Sequence, residues 1–458
     1  MEGDDSMTRG RPAAETDAGS GGSRGSGVDR RTFLKVAGAQ TGLLAAGATS
    51  ASATTTRSVP RAPWIGRQAP DIAVIGGSAW GGWIALNLQR MGARVTVIDA
   101  WGPGNARATS GDESRGIRTS YGDREVGELW ARWARESIDR WKRWDEEWGS
   151  DLHMRLFFPT GDVTFRNQAD DNFIRGCTET WAKIGTPYEV LTPDEARYRF
   201  PAIEFGDMQG IMFEPDAGVG RARRSCEAVA EVFRHEGGRM VISTASPGSN
   251  SNGRLTDLTL RPGSPFVAGT YVFALGPWMG KVFPDVLGNK MRTPMGFVFY
   301  FGTPPGDNRF TYPNLPSWNF PGVTGWGGLD MDNRGFRVRG GGGGGLNRSQ
   351  DPDTSERWIG GATAQRQREF LAERFPGMAG APIVATHACH YELSSSRNFI
   401  ISQHPDWSNV WLAGGGSAEG FKFGPMIGEY VAGRVTGTET DPDLIEAFRI
   451  PEDSYEAG

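Results

Sequence analysis

Three cysteines and five histidines in 458 residues, a formal net charge of only −5 and the lack of a long apolar run each remove a class of function. Cys177, Cys226 and Cys389 form no C-x-x-C pair, and their odd number leaves at least one thiol unpaired. Cys177 and Cys226 are most simply buried small hydrophobes. The stretch His387-Ala-Cys389-His390 suggests metal ligands at first sight. On a strand, however, His387 and Cys389 share one face while His390 points away. Only His153, His235 and His404 remain to complete a set, so no metal site is expected. The mild acidity gives no electrostatic reason for a nucleic-acid partner. The apolar run 36–48 is too short and too rich in Gly and Ala to be a comfortable membrane span.

What that run does fit is an export signal. Residues 1–28 are rich in Gly, Ser, Asp and Arg and have no apolar period. Asp29-Arg30-Arg31-Thr32-Phe33-Leu34-Lys35 follows, then the weakly hydrophobic stretch and the small residues Ala51-Ser52-Ala53. A twin arginine, a modest apolar segment and an A-x-A site make a Tat signal. Residues 1–53 are therefore expected to be removed, with 54–69 as a leader. The protein would be periplasmic or secreted, would meet the Tat translocase in transit and would keep no stable membrane span. The Tat route carries folded proteins, often already loaded with a cofactor.

A cofactor site opens where the leader ends. Asp71-Ile-Ala-Val-Ile75 is a short β-rich run, followed by Gly76-Gly77-Ser78-Ala79-Trp80-Gly81-Gly82 and a helical stretch to Met91. A second strand, Arg94–Ile98, closes on Asp99. Strand, glycine turn, helix, strand and acid within about thirty positions form a dinucleotide-binding βαβ unit. Gly76 permits the tight turn and Gly81 lets helix and strand approach. The helix N-terminus faces a diphosphate, and Asp99 accepts hydrogen bonds from the adenosine ribose. Ser78 replaces the second glycine of the G-x-G-x-x-G pattern, which argues against a stringent NAD fingerprint.

Downstream, tryptophans recur at helical spacing through 125–148 and predict an aromatic core face. A helix is expected over Arg221–Glu236, with strands at Arg239–Ser243, Leu255–Leu260 and Tyr271–Leu275. A β-rich excursion starts at Met291, and Gly340–Gly345 reads as a mobile loop. A helix at Ser355–Phe375 precedes strands at Ile383–Tyr391, Asn398–Gln403 and Val410–Ala413. The last of these meets Gly414-Gly-Gly-Ser-Ala-Glu419-Gly420-Phe421-Lys422-Phe423-Gly424, and a final helix spans Pro425–Val435. The nucleotide domain would thus be assembled from 70–125, 202–290 and 386–445. A second domain is expected from 126–201 and 291–385, with 446–458 as a C-terminal tail.

Four stretches, in order and at matching spacing, resemble the monomeric sarcosine oxidase group of the D-amino-acid-oxidase-like flavoenzymes. They are Gly76–Asp99, Ser110-Gly-Asp-Glu-Ser-Arg115-Gly-Ile-Arg118-Thr-Ser-Tyr-Gly122, Cys389-His-Tyr391-Glu, and Gly414–Phe423. The resemblance implies FAD and an α/β fold, in which a Rossmann-type (GR2-like) FAD-binding domain carries an inserted antiparallel-sheet α+β substrate domain. It implies oxidation of a C–N bond in an amine or amino acid to an imine, with O2 as acceptor and H2O2 as product. Residue by residue, Arg118 and Lys422 match the cations that pair with a substrate carboxylate, and Tyr391 an aromatic wall of the pocket. Arg115 matches an arginine beside the isoalloxazine ring. Cys389 matches the cysteine whose sulfur bonds the flavin 8α carbon. Gly76, Gly77, Ser78, Ala79, Trp80, Gly81, Asp99, Ser110, Gly414, Gly420 and Phe421 complete the expected cofactor contacts.

Two departures concern the reacting end. Gly335-Phe-Arg337-Val-Arg339-Gly-Gly341 stands where the family has a lysine near flavin N5 and a histidine beyond it. Arg337 keeps the charge, but its planar fork cannot hold the same water. Glu419 stands where the sarcosine oxidases have a histidine, which disfavours a simple amino acid such as sarcosine and favours a cationic or polyhydroxylated group. Two other readings remain at this point: a dehydrogenase that hands electrons to a quinone or carrier protein, and a flavin-binding protein without turnover.

Overall fold

A computed structural model describes residues 70–329, 335–340 and 349–455. The signal segment, the leader and the glycine run beyond Gly340 lie outside the described residues, which belong to one compact unit. That unit is built on two large sheets.

The first begins with β1 (Asp71–Ile75), α1 (Ala79–Arg90) and β2 (Arg94–Asp99), the βαβ unit expected from the sequence. Its six strands run in the order Ile400–Gln403, Val410–Gly414, Thr270–Phe273, β1, β2, Arg239–Ile242. All neighbours are parallel except the edge strand Ile400–Gln403. Parallel sheets are covered on both faces, and β1 is apolar and buried at every position after Asp71. Accordingly Ile72 and Val74 enter one core, while Ala73 and Ile75 enter another on the opposite face.

On the first face α1 packs against Ala222–His235 and Gly424–Thr436. The tryptophan helix, Gly127–Trp148, joins this core: Trp130, Trp133, Trp141 and Trp144 are buried. Trp83 of α1 meets Trp141 and Trp144 edge-on, at 5.6 and 4.9 Å between ring centroids. The stripe is a core face, as its spacing predicts. It is a core face of the nucleotide half, although 126–201 was expected in the other domain. An aromatic stripe settles where apolar surface is available, and the helices covering the parallel sheet provide it.

The second sheet has eight strands, ordered Ile383–His390, Met295–Phe301, Phe336–Gly340, Val323–Trp326, Ser317–Phe320, Asp162–Arg166, Gly210–Glu214, Glu189–Val190. It is antiparallel apart from the pairing of Ser317–Phe320 with Asp162–Arg166. Two of its strands fall in segments expected in the nucleotide domain. Gly210–Glu214 pairs with Asp162–Arg166, and the end of Ile383–His390 pairs with Met295–Phe301. Cross-strand hydrogen bonding, invisible in a linear reading, draws both into the second sheet.

A small sheet of Ser114–Ile117, Gly218–Arg221 and Phe157–Phe158 carries Arg115 and leads to Arg118. The helix expected at Ser355–Phe375 begins only at Gly361, after Gly360 in extended conformation. The C-terminal tail is docked: Phe448 is buried with the tryptophans, and the Tyr455 hydroxyl donates to the Ser394 carbonyl at 2.8 Å.

Candidate active site

A long cavity begins at the carboxyl ends of the parallel strands and ends against the eight-stranded sheet. Gly76, Ser78, Ala79, Trp80, Asp99 and Ser110 line its first part. Arg115, Arg118, Arg337, Cys389, Tyr391, Gly420, Phe421 and Lys422 line the rest. Gly77, Gly81 and Gly414 are not wall residues; they act from behind it. A Cβ on Gly81 would stand 1.7 Å from the Gly76 carbonyl oxygen, and one on Gly76 (φ +96°) would stand 2.4 Å from that of Ala274. These two positions must be glycine for turn, helix and neighbouring strand to close up.

Ser78 makes no side-chain cap, so the first N–H groups of α1 carry no side-chain partner where they meet the cavity. This end suits an anion such as a diphosphate. Asp99 differs in part from expectation. Its carboxylate accepts the N–H groups of Gly77 at 2.7 Å, Trp101 at 2.9 Å and Gly102 at 2.7 Å. It pins the glycine turn first, and Oδ2, with one such bond, keeps acceptor capacity for a ribose hydroxyl.

In the middle of the cavity Asp112 is the hub. It accepts from the Tyr300 hydroxyl at 2.7 Å and from Arg115, and Arg337 Nη2 lies 3.5 Å away. Burial alone would raise its pKa, but the two guanidinium groups hold it well below the usual carboxylate range. Arg115 also donates to the Thr109 carbonyl at 2.6 Å and reaches the sulfur of Cys389 at 3.7 Å. Arg337 lies 4.1 Å from the Trp326 ring centroid and is 1% exposed. Cys389 is buried and unpaired on Ile383–His390, with its neighbour Tyr391 below the Arg339 guanidinium, 5.6 Å from ring centre to carbon.

At the far end Lys422 has partners that its motif does not declare. The motif resemblance pairs Lys422 with a substrate carboxylate, and in the structure its ammonium has three acceptors within the protein. Nζ donates to the Tyr121 hydroxyl at 2.8 Å, to the Glu419 carbonyl at 3.4 Å and to Glu419 Oε2. An ammonium has three protons, and all three have acceptors. Burial pushes Lys422 down to about 8 against the pull of Glu419, whereas Lys422 and Arg118 hold Glu419 well below the carboxylate range despite its burial. The pair is ionised at neutral pH. Behind it, Trp141 Nε1 donates to the Lys422 carbonyl at 3.0 Å, and Trp141 stacks on Phe421.

Arg118 is different. Among the described residues no hydrogen bond or ion pair engages its guanidinium, and it faces the cavity. Burial opposes its charge, but Glu419 and Asp162 more than offset this and keep it protonated. Asp162 accepts from Asn319 at 2.7 Å and is pushed up to about 6 by burial. Glu214, behind it, accepts Thr119 N–H and hydroxyl bonds and is pushed up to about 7 by burial.

Sequence reading missed Asp112, Tyr121, Asp162, Glu214, Glu392 and the role of Arg339, which is also without a hydrogen bond or ion pair among the described residues. Asp112 and Tyr121 flank Arg115 and Arg118 in the chain, so their proximity was available as a signal. For Asp162 and Glu214 there was none short of sheet register. Among the described residues no group of three or more His, Cys, Asp or Glu is arranged to hold a metal, and no helix is long and apolar enough to cross a membrane.

A dinucleotide cradle joined to a charged pocket beneath a second sheet defines a flavin- or nicotinamide-dependent redox enzyme, and comparison with known proteins decides between the two. Residues 71–434 match the DAO family of FAD-dependent oxidoreductases, and the chain belongs to that family. It is 24% identical over 395 residues to monomeric sarcosine oxidase of Bacillus sp. strain B-0618, covering 82% of this chain and 94% of that protein. It is 25% identical over 390 residues to N-methyl-L-tryptophan oxidase of Salmonella dublin, covering 83% and 98%. Among solved structures, L-proline dehydrogenase from P. horikoshii superposes with a TM-score of 0.70 at 20% identity over 82% of this chain and 96% of the other. Fructosamine oxidase from Aspergillus fumigatus gives 0.70 at 20% identity over 84% and 90%. The unpaired N–H groups of α1, the glycine cradle and Asp99 fit the diphosphate and adenosine of FAD.

Removing one partner of the buried Glu419–Lys422 pair strands the other. Glu419→Gln is expected to destabilise the protein by about 3–5 kcal/mol in denaturant unfolding. The double variant Glu419→Gln/Lys422→Met should recover most of that loss. A Glu419→Gln protein as stable as the parent would show that the pair is not formed.

Proposed function

We propose that this FAD-dependent oxidoreductase oxidises a C–N bond of an amine or amino acid, with Arg118, rather than Lys422, as the fixed cation for a substrate carboxylate. The observation that carries the reading is the contrast between Arg118, open to the cavity, and Lys422, whose donors are all occupied. The relatives named for sarcosine and N-methyl-L-tryptophan oxidation support amine chemistry.

FAD supplies the acceptor for the two electrons that leave the substrate carbon as hydride or its equivalent. The chain's residues bind and orient. Arg118 takes the carboxylate through its fork. Glu419 uses Oε2 for Lys422 and Tyr121 and leaves Oε1 for a donor on the substrate, a hydroxyl or a second amino group. That demand, and the repulsion between Glu419 and a lone carboxylate, make sarcosine a poor substrate. The neutral substrate amine needs no protein base, and the imine product is hydrolysed by water.

Dioxygen is the proposed final acceptor, giving H2O2, with the Arg337 charge as its electrostatic support. One observation favours the alternative of a quinone or carrier-protein acceptor: Arg337 shares its charge with Asp112 and is clamped on Trp326. Peroxide assays across primary and secondary amines, each repeated with an artificial electron acceptor, separate the two. The expected result is peroxide with hydroxylated or diamino substrates. Turnover only with the artificial acceptor would mean a dehydrogenase, and flavin that no amine bleaches anaerobically would leave a non-catalytic flavoprotein. Arg118→Met should raise KM for carboxylated substrates about 10- to 100-fold and leave uncharged amines nearly unaffected.

We further propose that Cys389 Sγ is bonded to the flavin. Attachment removes one hydrogen from the 8α methyl and one from the thiol, and the two electrons pass to the acceptor that reoxidises the enzyme. Acid precipitation should leave flavin with the wild-type protein and release it from Cys389→Ser; complete release from both would refute the bond.

Export by the Tat pathway is likewise a proposal, supported by Arg30-Arg31 and the segment behind them. Replacing both arginines by lysine should hold the protein in the cytoplasm. Undiminished export of that variant would point to another route.

A further inference from the structure

Glu392 follows Tyr391 and is 9% exposed. Its Oε1 accepts the Gly416 N–H at 2.8 Å, while Oε2, shut off from solvent, has no partner among the described residues. The carboxyl is wedged between two glycine turns. A Cβ on Gly416 would stand 3.1 Å from Oε1, and one on Gly276 3.5 Å from Oε2. These turns follow Thr270–Phe273 and Val410–Gly414, the strand next to β1 and the strand beyond it. Glu392, Gly276 and Gly416 all line the cavity that starts at the cofactor cradle. In a parallel sheet a ligand lies outside these strand ends. A buried polar oxygen without a partner is rare in native proteins and calls for one.

We propose that Glu392 is a cofactor-positioning residue that stays protonated and donates a hydrogen bond from Oε2 to an oxygen of bound FAD. Only the Gly416 N–H favours the carboxylate, and among the described residues no cation faces it. Lys281, on the helix after the Gly276 turn, is bonded to Asp351 and Asp353. Glu419, after the Gly416 turn, is taken by Lys422. His390, on the preceding strand, has Nδ1 3.1 Å from the Thr293 carbonyl, and burial lowers its pKa. Arg292, beside Leu393, lies over the Tyr455 ring. Burial accordingly pushes Glu392 up to about 7, and a diphosphate at the N-terminus of α1 raises it further.

The consequence is a pH dependence of cofactor binding with a definite sign. Below the pKa of the free site Glu392 is neutral in both states and FAD is held fully. As pH rises through that value the empty site ionises, the donor is lost and affinity falls. The inference rests on the family's FAD dependence and is independent of the substrate.

The test is the release of FAD from holoenzyme in a Cys389→Ser background, where no thioether masks dissociation, followed by the fluorescence of freed flavin. Between about pH 6 and about pH 8.5, affinity should fall about tenfold or more. Glu392→Gln, which keeps a donor and cannot ionise, should hold FAD with an affinity that varies much less with pH. Glu392→Leu should be equally flat but weaker at both pH values. Flat behaviour in the parent, or an undiminished pH dependence in Glu392→Gln, would overturn the proposal.

Discussion

The ion pair between Lys422 and Glu419 sets the chemistry of the substrate end of this protein. An ammonium this deeply placed must have its charge balanced and its protons accepted, or burial would drive it neutral. Glu419, three residues earlier on the same turn, does both with Oε2 and its carbonyl, and Tyr121 completes the set. The rest of the neighbourhood follows from that arrangement. Trp141 is drawn in to bond the Lys422 carbonyl and to cover Phe421, which ties the tryptophan helix to the active site. Arg118 is left as an open cation: Glu419 helps to keep it protonated but bonds Lys422.

The same logic of compensation runs through the cavity. Asp112 serves Arg115 and Arg337, and Asp351 and Asp353 serve Lys281. Against this background the groups left open carry the most information. Among the described residues they include two guanidinium groups, Arg118 and Arg339, and one oxygen each on Glu419 and Glu392. On the proposed reading, the Arg118 fork and the Glu419 acceptor suit a substrate that carries both an acid and an extra donor.

Much of the fold was legible in the sequence because its signals are local. The βαβ unit declares itself through strand, glycine turn and acid in contiguous order, and the tryptophan spacing marks a core face without ambiguity. The placement of that face was not legible, nor was the membership of Gly210–Glu214 and Ile383–His390 in the second sheet, since both depend on pairing between distant strands. The site shows the same division. Arg115, Arg118, Cys389, Tyr391 and Lys422 all lie on the cavity wall, as the motif resemblance implies. The state of Lys422 could not be read from its motif, because occupancy of its three donors is a matter of geometry. Asp99 shows a milder version: its position was right, but its first task is to hold the Gly77 turn.

The central claim is that Lys422 remains bound to Glu419 while Arg118 takes a substrate carboxylate. A crystal structure of the holoenzyme with an unreactive carboxylic acid in the pocket tests it most directly. The account predicts the carboxylate on the Arg118 guanidinium, with Lys422 Nζ still bonded to Glu419 and Tyr121. A carboxylate held by Lys422, with Glu419 turned away, would contradict it.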